Sequence, residues 1–298
     1  MKTTLYYKIT DLFSRIAGIL GEDSDSIYYS GISKSIRSSF NKKFFNNVAD
    51  LYGSGKQVTF IMPLLCGLVP ADRETKVFDN LVRNVTGKSL GHFGSGIYGT
   101  SFLADILCDF GRADIAYMVF SQTTYPSFGD QIINHGATTT WEQWGSINTV
   151  KEMDTYDHAM FSGADKTFYT RFGGIRPLTP GYKTICIKPC LPGKLKYVRS
   201  SLRTVMGLIT SDWESGSIYT HHVTIPVNTT AIIYIPGNDP GKVYENSIPI
   251  LKSKDVKYLK AEKDYLLYEV GSGSYYFSYG MPAKKIQDPA DEIPANFF

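Results

Sequence analysis

A change of period near Pro177 constrains this chain more than any other feature. Before it, apolar residues recur at spacings of three and four; after it, runs rich in Val, Ile, Thr and Tyr are separated by tight turns. A helix places i, i+3 and i+4 on one face and a strand places i and i+2 there, so the two halves cannot share one kind of element. The pattern predicts a multi-domain chain, α first and then β. Residues 1–176 form a helical domain, 177–280 a β-sandwich, and 281–298 a tail whose Pro and charges follow no period.

Seven helical stretches are legible. Leu5, Ile9, Leu12, Phe13, Ile16, Ile19 and Leu20 share a face that predicts a buried helix ended by Gly21. Ile27, Ile32, Ile36, Phe40 and Phe44 mark a second. A third runs from about Gln57 to Leu68 and breaks at Val69-Pro70. A fourth starts at Pro70-Ala71-Asp72 with Val77, Leu81 and Val85 inward. Phe102 to Phe110 and Ile115 to Phe120 give the fifth and sixth, and Phe161, Phe168, Tyr169 and Phe172 the seventh. Short and longer connections alternate, as in stacked α-hairpins. From Pro177 on, Thr184 to Ile187, Tyr197 to Trp213, Ile218 to Ile225, Ala231 to Ile235 and Tyr265 to Tyr279 read as strands of an antiparallel sandwich.

The composition excludes several classes. A net charge of +3 with no Lys/Arg stripe argues against a nucleic-acid partner. No apolar signal core follows Met1, and the longest apolar stretch, near Phe60 to Val69, is too short to span a bilayer. A soluble chain is expected, without a membrane partner and with its compartment undetermined. Cys66 and Cys108 sit in apolar helices, Cys186 and Cys190 have no partners for a zinc site, and no metal or cofactor is expected. His221 and His222, adjacent on a strand, point to opposite faces and cannot pair on one metal. Aromatic residues make up 14% of the chain, which suits sugar stacking as well as plain packing.

Candidate chemistry lies in the two long connections, Gly87 to Thr100 and Thr123 to His158, which hold two of the three Trp and three of the five His. In Trp141-Glu142-Gln143-Trp144 a carboxylate lies between two indoles. Apolar walls exclude bulk water, which suits a carboxylate that takes a proton from an attacking water, and the rings suit a sugar face. A capping or salt-bridged Glu in an aromatic loop is the alternative. His158, after Asp154-Thr155-Tyr156-Asp157, can donate to a sugar hydroxyl or serve as a cap. His92 and His135, beside glycines, are weaker candidates.

Several blocks occur in a specific order: Gly67-Leu68-Val69-Pro70, Asp79-Asn80-Leu81-Val82, Gly91-His92, Gly111-Arg112-Ala113-Asp114, Gln122-Thr123-Thr124-Tyr125-Pro126-Ser127, and Gly136-Ala137-Thr138-Thr139-Thr140-Trp141-Glu142. Asp157-His158-Ala159-Met160-Phe161 and Pro180-Gly181-Tyr182 follow. In that order they resemble the bacterial α-L-rhamnosidases, a resemblance that extends to about Tyr279.

The resemblance implies an (α/α)6 toroid, here a partial one of about seven helices, followed by the β-sandwich. It also implies a hydrolase that cleaves terminal α-L-rhamnosides with inversion. Inversion needs a general acid and a general base roughly 6.5–9.5 Å apart. Glu142 matches the base, His158 a rhamnose-contacting His, and Trp141 and Trp144 the flanking rings. The family's acid-bearing motif is not found, Gly145 stands where an Asp is usual, and Asp157 stands where an Asn is usual. Among the carboxylates near Glu142, Asp130, Glu152, Asp154 and Asp157 match no acid motif. The expectation is a truncated chain carrying the base half of the site, with a rhamnose-containing glycan or glycoside as partner. The alternatives are a sugar-binding remnant without catalysis and one half of a split enzyme, with a separate N-terminal half or a homo-oligomer completing the toroid.

Overall fold

A computed structural model of the protein describes residues 1–145 and 155–283. The chain divides into two compact units, Met1–Asp165 and a second from Lys166 onward. Among the described residues no helix is long and apolar enough to cross a membrane.

The first unit is built from helix pairs. α1 (Lys2–Leu20) packs on α2 (Asp23–Phe44), α3 (Gln57–Cys66) on α4 (Glu74–Arg83), and α5 (Ile97–Asp109) on α6 (Ala113–Phe120). A single-turn helix, α7 (Ala159–Ser162), ends the series. The odd-numbered helices also form a row, α1 against α3, α3 against α5 and α5 against α7, so the pairs stack as successive hairpins. Their core is Phe60, Ile61 and Met62 of α3, Val77 and Leu81 of α4, Leu103 and Leu107 of α5, and Ala116 and Val119 of α6, all nearly inaccessible to solvent. Left-handed Gly67 closes α3, and the Leu68 amide returns to the Pro63 carbonyl at 2.9 Å. A two-rung hairpin, β1 (Phe45–Asn46) with β2 (Leu51–Tyr52), joins the first two pairs; strands this short leave no periodic signal in sequence.

α1 departs from its expected orientation. Its buried residues are Thr4, Tyr7, Thr10, Ser14 and Ala17, whereas Ile9, Leu12, Phe13, Ile16, Ile19 and Leu20 are between 41% and 84% exposed. The apolar stripe predicted to face inward therefore faces outward. The small side chains on the other face let α2 come close enough for the Ser14 hydroxyl to donate to the Ser26 carbonyl at 2.7 Å. The expected seventh helix is also shorter: α7 spans one turn, and Phe168–Phe172 forms a separate π-helical turn in the second unit.

The second unit is a two-sheet sandwich. One sheet orders β10 (Ile248–Pro249), β9 (Val243–Glu245), β13 (Gly273–Tyr279), β7 (Tyr219–Ile225), β6 (Gly207–Ser215) and β5 (Tyr197–Thr204). The other orders β11 (Val256–Glu262), β12 (Tyr265–Val270), β8 (Thr230–Pro236), β4 (Thr184–Ile187) and β3 (Ile175–Pro177). Pairing is antiparallel apart from β4 with β8, which run parallel, an exception to the expected all-antiparallel pattern. The run from Tyr197 to Trp213 is a hairpin, β5 with β6, rather than one strand.

Ile185, Ile187, Ile233, Ile235, Leu266 and Tyr268 of one sheet meet Ile209, Trp213, Val223 and Phe277 of the other. A polar chain crosses this core. The Tyr219 hydroxyl lies 3.1 Å from His221 Nδ1, His221 Nε2 lies 2.9 Å from Ser211 Oγ, and Ser211 donates to the Gly173 carbonyl at 2.6 Å. Because Ser211 spends its proton on Gly173, it accepts from His221 Nε2–H, and Nδ1 then accepts from Tyr219. Burial pushes the His221 imidazole down to about 3 and raises the Tyr219 phenol, which keeps the ring neutral and the hydroxyl protonated. His222 faces the other way and meets Ser274 Oγ at 2.8 Å.

Candidate functional site

The candidate residues lie where two separate segments are laced together. The His158 amide donates to the Thr140 carbonyl at 2.8 Å and the Glu142 amide to the Thr155 carbonyl at 3.2 Å. The Thr140 hydroxyl donates to the His158 carbonyl at 2.9 Å, and the Thr139 hydroxyl to the Tyr156 carbonyl. Residues 139–142 and 155–158 thus run side by side. Glu142 and His158, sixteen positions apart in sequence, each take part in one of the two backbone bonds that join these segments. Both are part-buried. Glu152 and Asp154 lie outside the described residues.

The two indoles are placed differently from open stacking rings. Trp141 is 6% exposed and packs edge-to-face with Tyr156 at 5.0 Å between centroids, with His135 at 6.3 Å. Trp144 is stacked on Phe93 at 5.2 Å and tilted against Phe161 at 4.6 Å, with Phe128 at 5.0 Å. Its indole N–H donates to the Ser95 carbonyl at 3.0 Å. Trp144 is part-buried, and neighbouring rings and a backbone carbonyl hold it in place.

The segment is fixed from behind. The buried Gln131 amide donates to the Gln143 carbonyl at 2.8 Å. Asp130, also buried, accepts from Asn134 at 2.8 Å and lies 3.6 Å from His135 Nε2. Asp130 and His135 thus serve the loop that carries Trp141. A Cβ on Gly129 would collide with the Gln122 carbonyl, so only glycine lets the two stretches of this loop approach so closely.

His92 is a clamp between the two long connections. Its Nδ1 lies 3.1 Å and 3.0 Å from the carbonyls of Ser89 and Leu90, and its Nε2 2.8 Å from the Thr124 hydroxyl. Carbonyls only accept, so Nδ1 carries the proton and Thr124 donates to Nε2 when the ring is neutral. Gln57, at the start of α3, satisfies its whole carboxamide on the same connection. It donates to Ser89 Oγ at 2.9 Å and the His92 carbonyl at 3.1 Å, and accepts from the Gly94 amide at 2.8 Å. Sequence spacing gave no hint of Gln57, Ser95 or Gln131, whose partners lie between 12 and 49 positions away. Among the described residues no group of three or more His, Cys, Asp or Glu side chains is arranged to hold a metal ion.

Comparison with known proteins decides the family. Residues 1–172 match the bacterial alpha-L-rhamnosidase 6 hairpin glycosidase domain, and residues 174–247 match the bacterial alpha-L-rhamnosidase C-terminal domain. The chain belongs to the bacterial α-L-rhamnosidase family. A solved α-L-rhamnosidase from Dictyoglumus thermophilum superposes with a TM-score of 0.85 at 33% identity, over 93% of this chain and 31% of that one. The Streptomyces avermitilis α-L-rhamnosidase, solved in complex with L-rhamnose, superposes with a TM-score of 0.83 at 28% identity, over 93% and 26%. A Formosa agariphila α-L-rhamnosidase is 27% identical over 281 residues, 92% of this chain and 30% of its own length. The chain thus spans about a quarter to a third of the α-L-rhamnosidases it matches.

Proposed function

We propose that this chain carries the general-base side of an inverting α-L-rhamnosidase site, acting on a rhamnose-containing glycan or glycoside. Glu142 takes a proton from a water as that water attacks the anomeric carbon of a terminal α-L-rhamnosyl group. The glycosidic oxygen leaves from the opposite side, protonated by a general acid. His158 meets a sugar hydroxyl, and Trp141 and Trp144 hold the base segment in a water-poor aromatic setting. The observation that supports this reading is the lacing of 139–142 to 155–158, in which the Glu142 and His158 amides each bond to the opposite segment. The relative solved with L-rhamnose supplies the substrate class.

The test has two parts. Calorimetric titration of the chain with L-rhamnose is expected to show binding that His158→Ala weakens. Hydrolysis of an aryl α-L-rhamnoside is then followed with the acid-bearing N-terminal fragment of a relative supplied, and Glu142→Gln is expected to lower it by ~10²–10⁴-fold. Hydrolysis indifferent to Glu142→Gln, or no L-rhamnose binding, would sink the assignment. Binding without hydrolysis under either condition would favour a non-catalytic sugar-binding remnant.

A further inference from the structure

We infer that Ser274, His222 and Asp212 form a nucleophilic triad on the outer face of the six-stranded sheet, suited to cleaving short-chain acyl esters of sugar hydroxyls. The three residues come from β13, β7 and β6, which are neighbours in that sheet. His222 pairs in register with Asp212 on one side and Tyr276 on the other, and Thr224 pairs likewise with Thr210 and Ser274. Side chains alternate along a strand, so these six face outward while Trp213, His221, Val223 and Phe277 face the core. The Ser274 hydroxyl lies 2.8 Å from His222 Nε2, and Asp212 Oδ2 lies 3.9 Å from Nδ1. One ring nitrogen thus faces a hydroxyl and the other a carboxylate, the arrangement by which a Ser-His-Asp triad is recognised on any fold. Asp212 is itself held, its Oδ1 accepting from the Ser200 amide at 3.0 Å. A carboxylate beside Nδ1 favours the tautomer protonated there, so Nε2 accepts and Ser274 donates. The gap to Asp212 is of the kind that closes when the imidazole gains a proton, since such contacts are looser before substrate binds.

The surroundings admit a substrate. Ser274 is exposed, and Gly273 before it carries no side chain to shield the hydroxyl. An oxyanion donor lies beside it. The Tyr276 carbonyl accepts from the Asn246 amide, on the side of β13 away from β7, and residues two apart in a strand turn their backbone groups the same way. The ladder with β9 covers only Phe277 to Tyr279, which leaves the Ser274 N–H outside both ladders. The nucleophile's own amide is one of the donors that steady a tetrahedral intermediate in acyl transfer. Ser274 Oγ attacks the acyl carbon while its proton passes to His222 Nε2, and Asp212 steadies the imidazolium. The ester C–O bond breaks, the proton moves from Nε2 to the departing oxygen, and the alcohol leaves. Water then attacks the acyl-serine in the same way, releasing the carboxylic acid and restoring the hydroxyl. The hydroxyls of Thr210, Thr224 and Tyr276 share this sheet face, which suits a small acyl group on a polar alcohol better than a long acyl chain. An acetylated sugar is such an ester. All three triad residues lie in the second unit, so the inference does not depend on the reading of Glu142.

The test treats the 298-residue chain with a fluorophosphonate, locates the adduct by peptide mass spectrometry, and follows acetate release from per-O-acetylated methyl α-L-rhamnoside. The expected result is a single adduct on Ser274 together with acetate release. Ser274→Ala should abolish both, and because the position is exposed its melting temperature should match the parent's. His222→Ala should slow labelling by ~10²–10⁴-fold, the contribution of a general base. Ser272→Ala, which changes a nearby hydroxyl outside the triad, should label at the parent rate. No adduct on Ser274, labelling indifferent to His222→Ala, or acetate release that survives Ser274→Ala would each overturn the triad. An adduct on Ser274 without acetate release would overturn the sugar-ester assignment.

Discussion

Thr140 and His158 exchange two hydrogen bonds, the His158 amide donating to the Thr140 carbonyl at 2.8 Å and the Thr140 hydroxyl to the His158 carbonyl at 2.9 Å. This pair holds the segment bearing Glu142 beside the one bearing His158. Thr140→Val keeps the shape and removes the hydroxyl bond. It should destabilise the helical unit by about 1 kcal/mol, read by urea denaturation, and should weaken L-rhamnose binding more than that loss of stability alone explains. Unchanged rhamnose affinity would show that the lacing does not position the site.

Trp144 is held by rings and by the Ser95 carbonyl rather than left open. Trp144→Ala should therefore cost about 3–5 kcal/mol of stability, as large aromatic truncations in packed surroundings do. Trp144→Phe should cost less, keeping most of the packing and orphaning one carbonyl. Thermal melts of the three proteins check this. A Trp144→Ala protein that melts like the parent would mean that the ring is a free platform after all.

The β-sandwich should be sensitive to acid. The His221 pKa falls from 6.5 to about 3 on folding because burial disfavours the imidazolium. Between those values the unfolded chain binds a proton that the folded chain does not, so stability falls as pH drops from about 6.5 towards 3. Denaturant midpoints of the second unit, followed by Trp213 fluorescence, should decline across that window. His221→Gln should flatten the decline while lowering stability at neutral pH, because it disturbs the bonds to Ser211 and Tyr219.

Tyr268 is fully buried, and its hydroxyl has no hydrogen-bond partner among the described residues. Burial raises its pKa, so it stays protonated and neutral. Tyr268→Phe removes an unsatisfied polar atom and keeps the ring that packs near Phe277 at 6.4 Å. The variant should be as stable as the parent or gain up to about 1 kcal/mol. A loss above that would reveal a partner for the hydroxyl.

The sequence by itself determined the order of the two units, most of the helices and longer strands, and the family. Those are carried by period, by turn residues and by motifs in fixed order, all of which are local. It singled out Glu142 and His158 as candidates, because unusual residues in long connections stand out from packing patterns. The side on which α1 would be covered was not legible. Its stripe at Ile9, Phe13 and Ile16 shows that the helix is amphipathic, but not whether a neighbour is present to bury that stripe. The fate of the two indoles was equally hidden, since Phe93 and Phe161 reach Trp144 from distant parts of the chain. The parallel pairing of β4 with β8, and the buried chain from Tyr219 to Gly173, likewise depend on strands far apart in sequence. Local propensity fixes what an element is, whereas only tertiary packing decides which of its faces meets what.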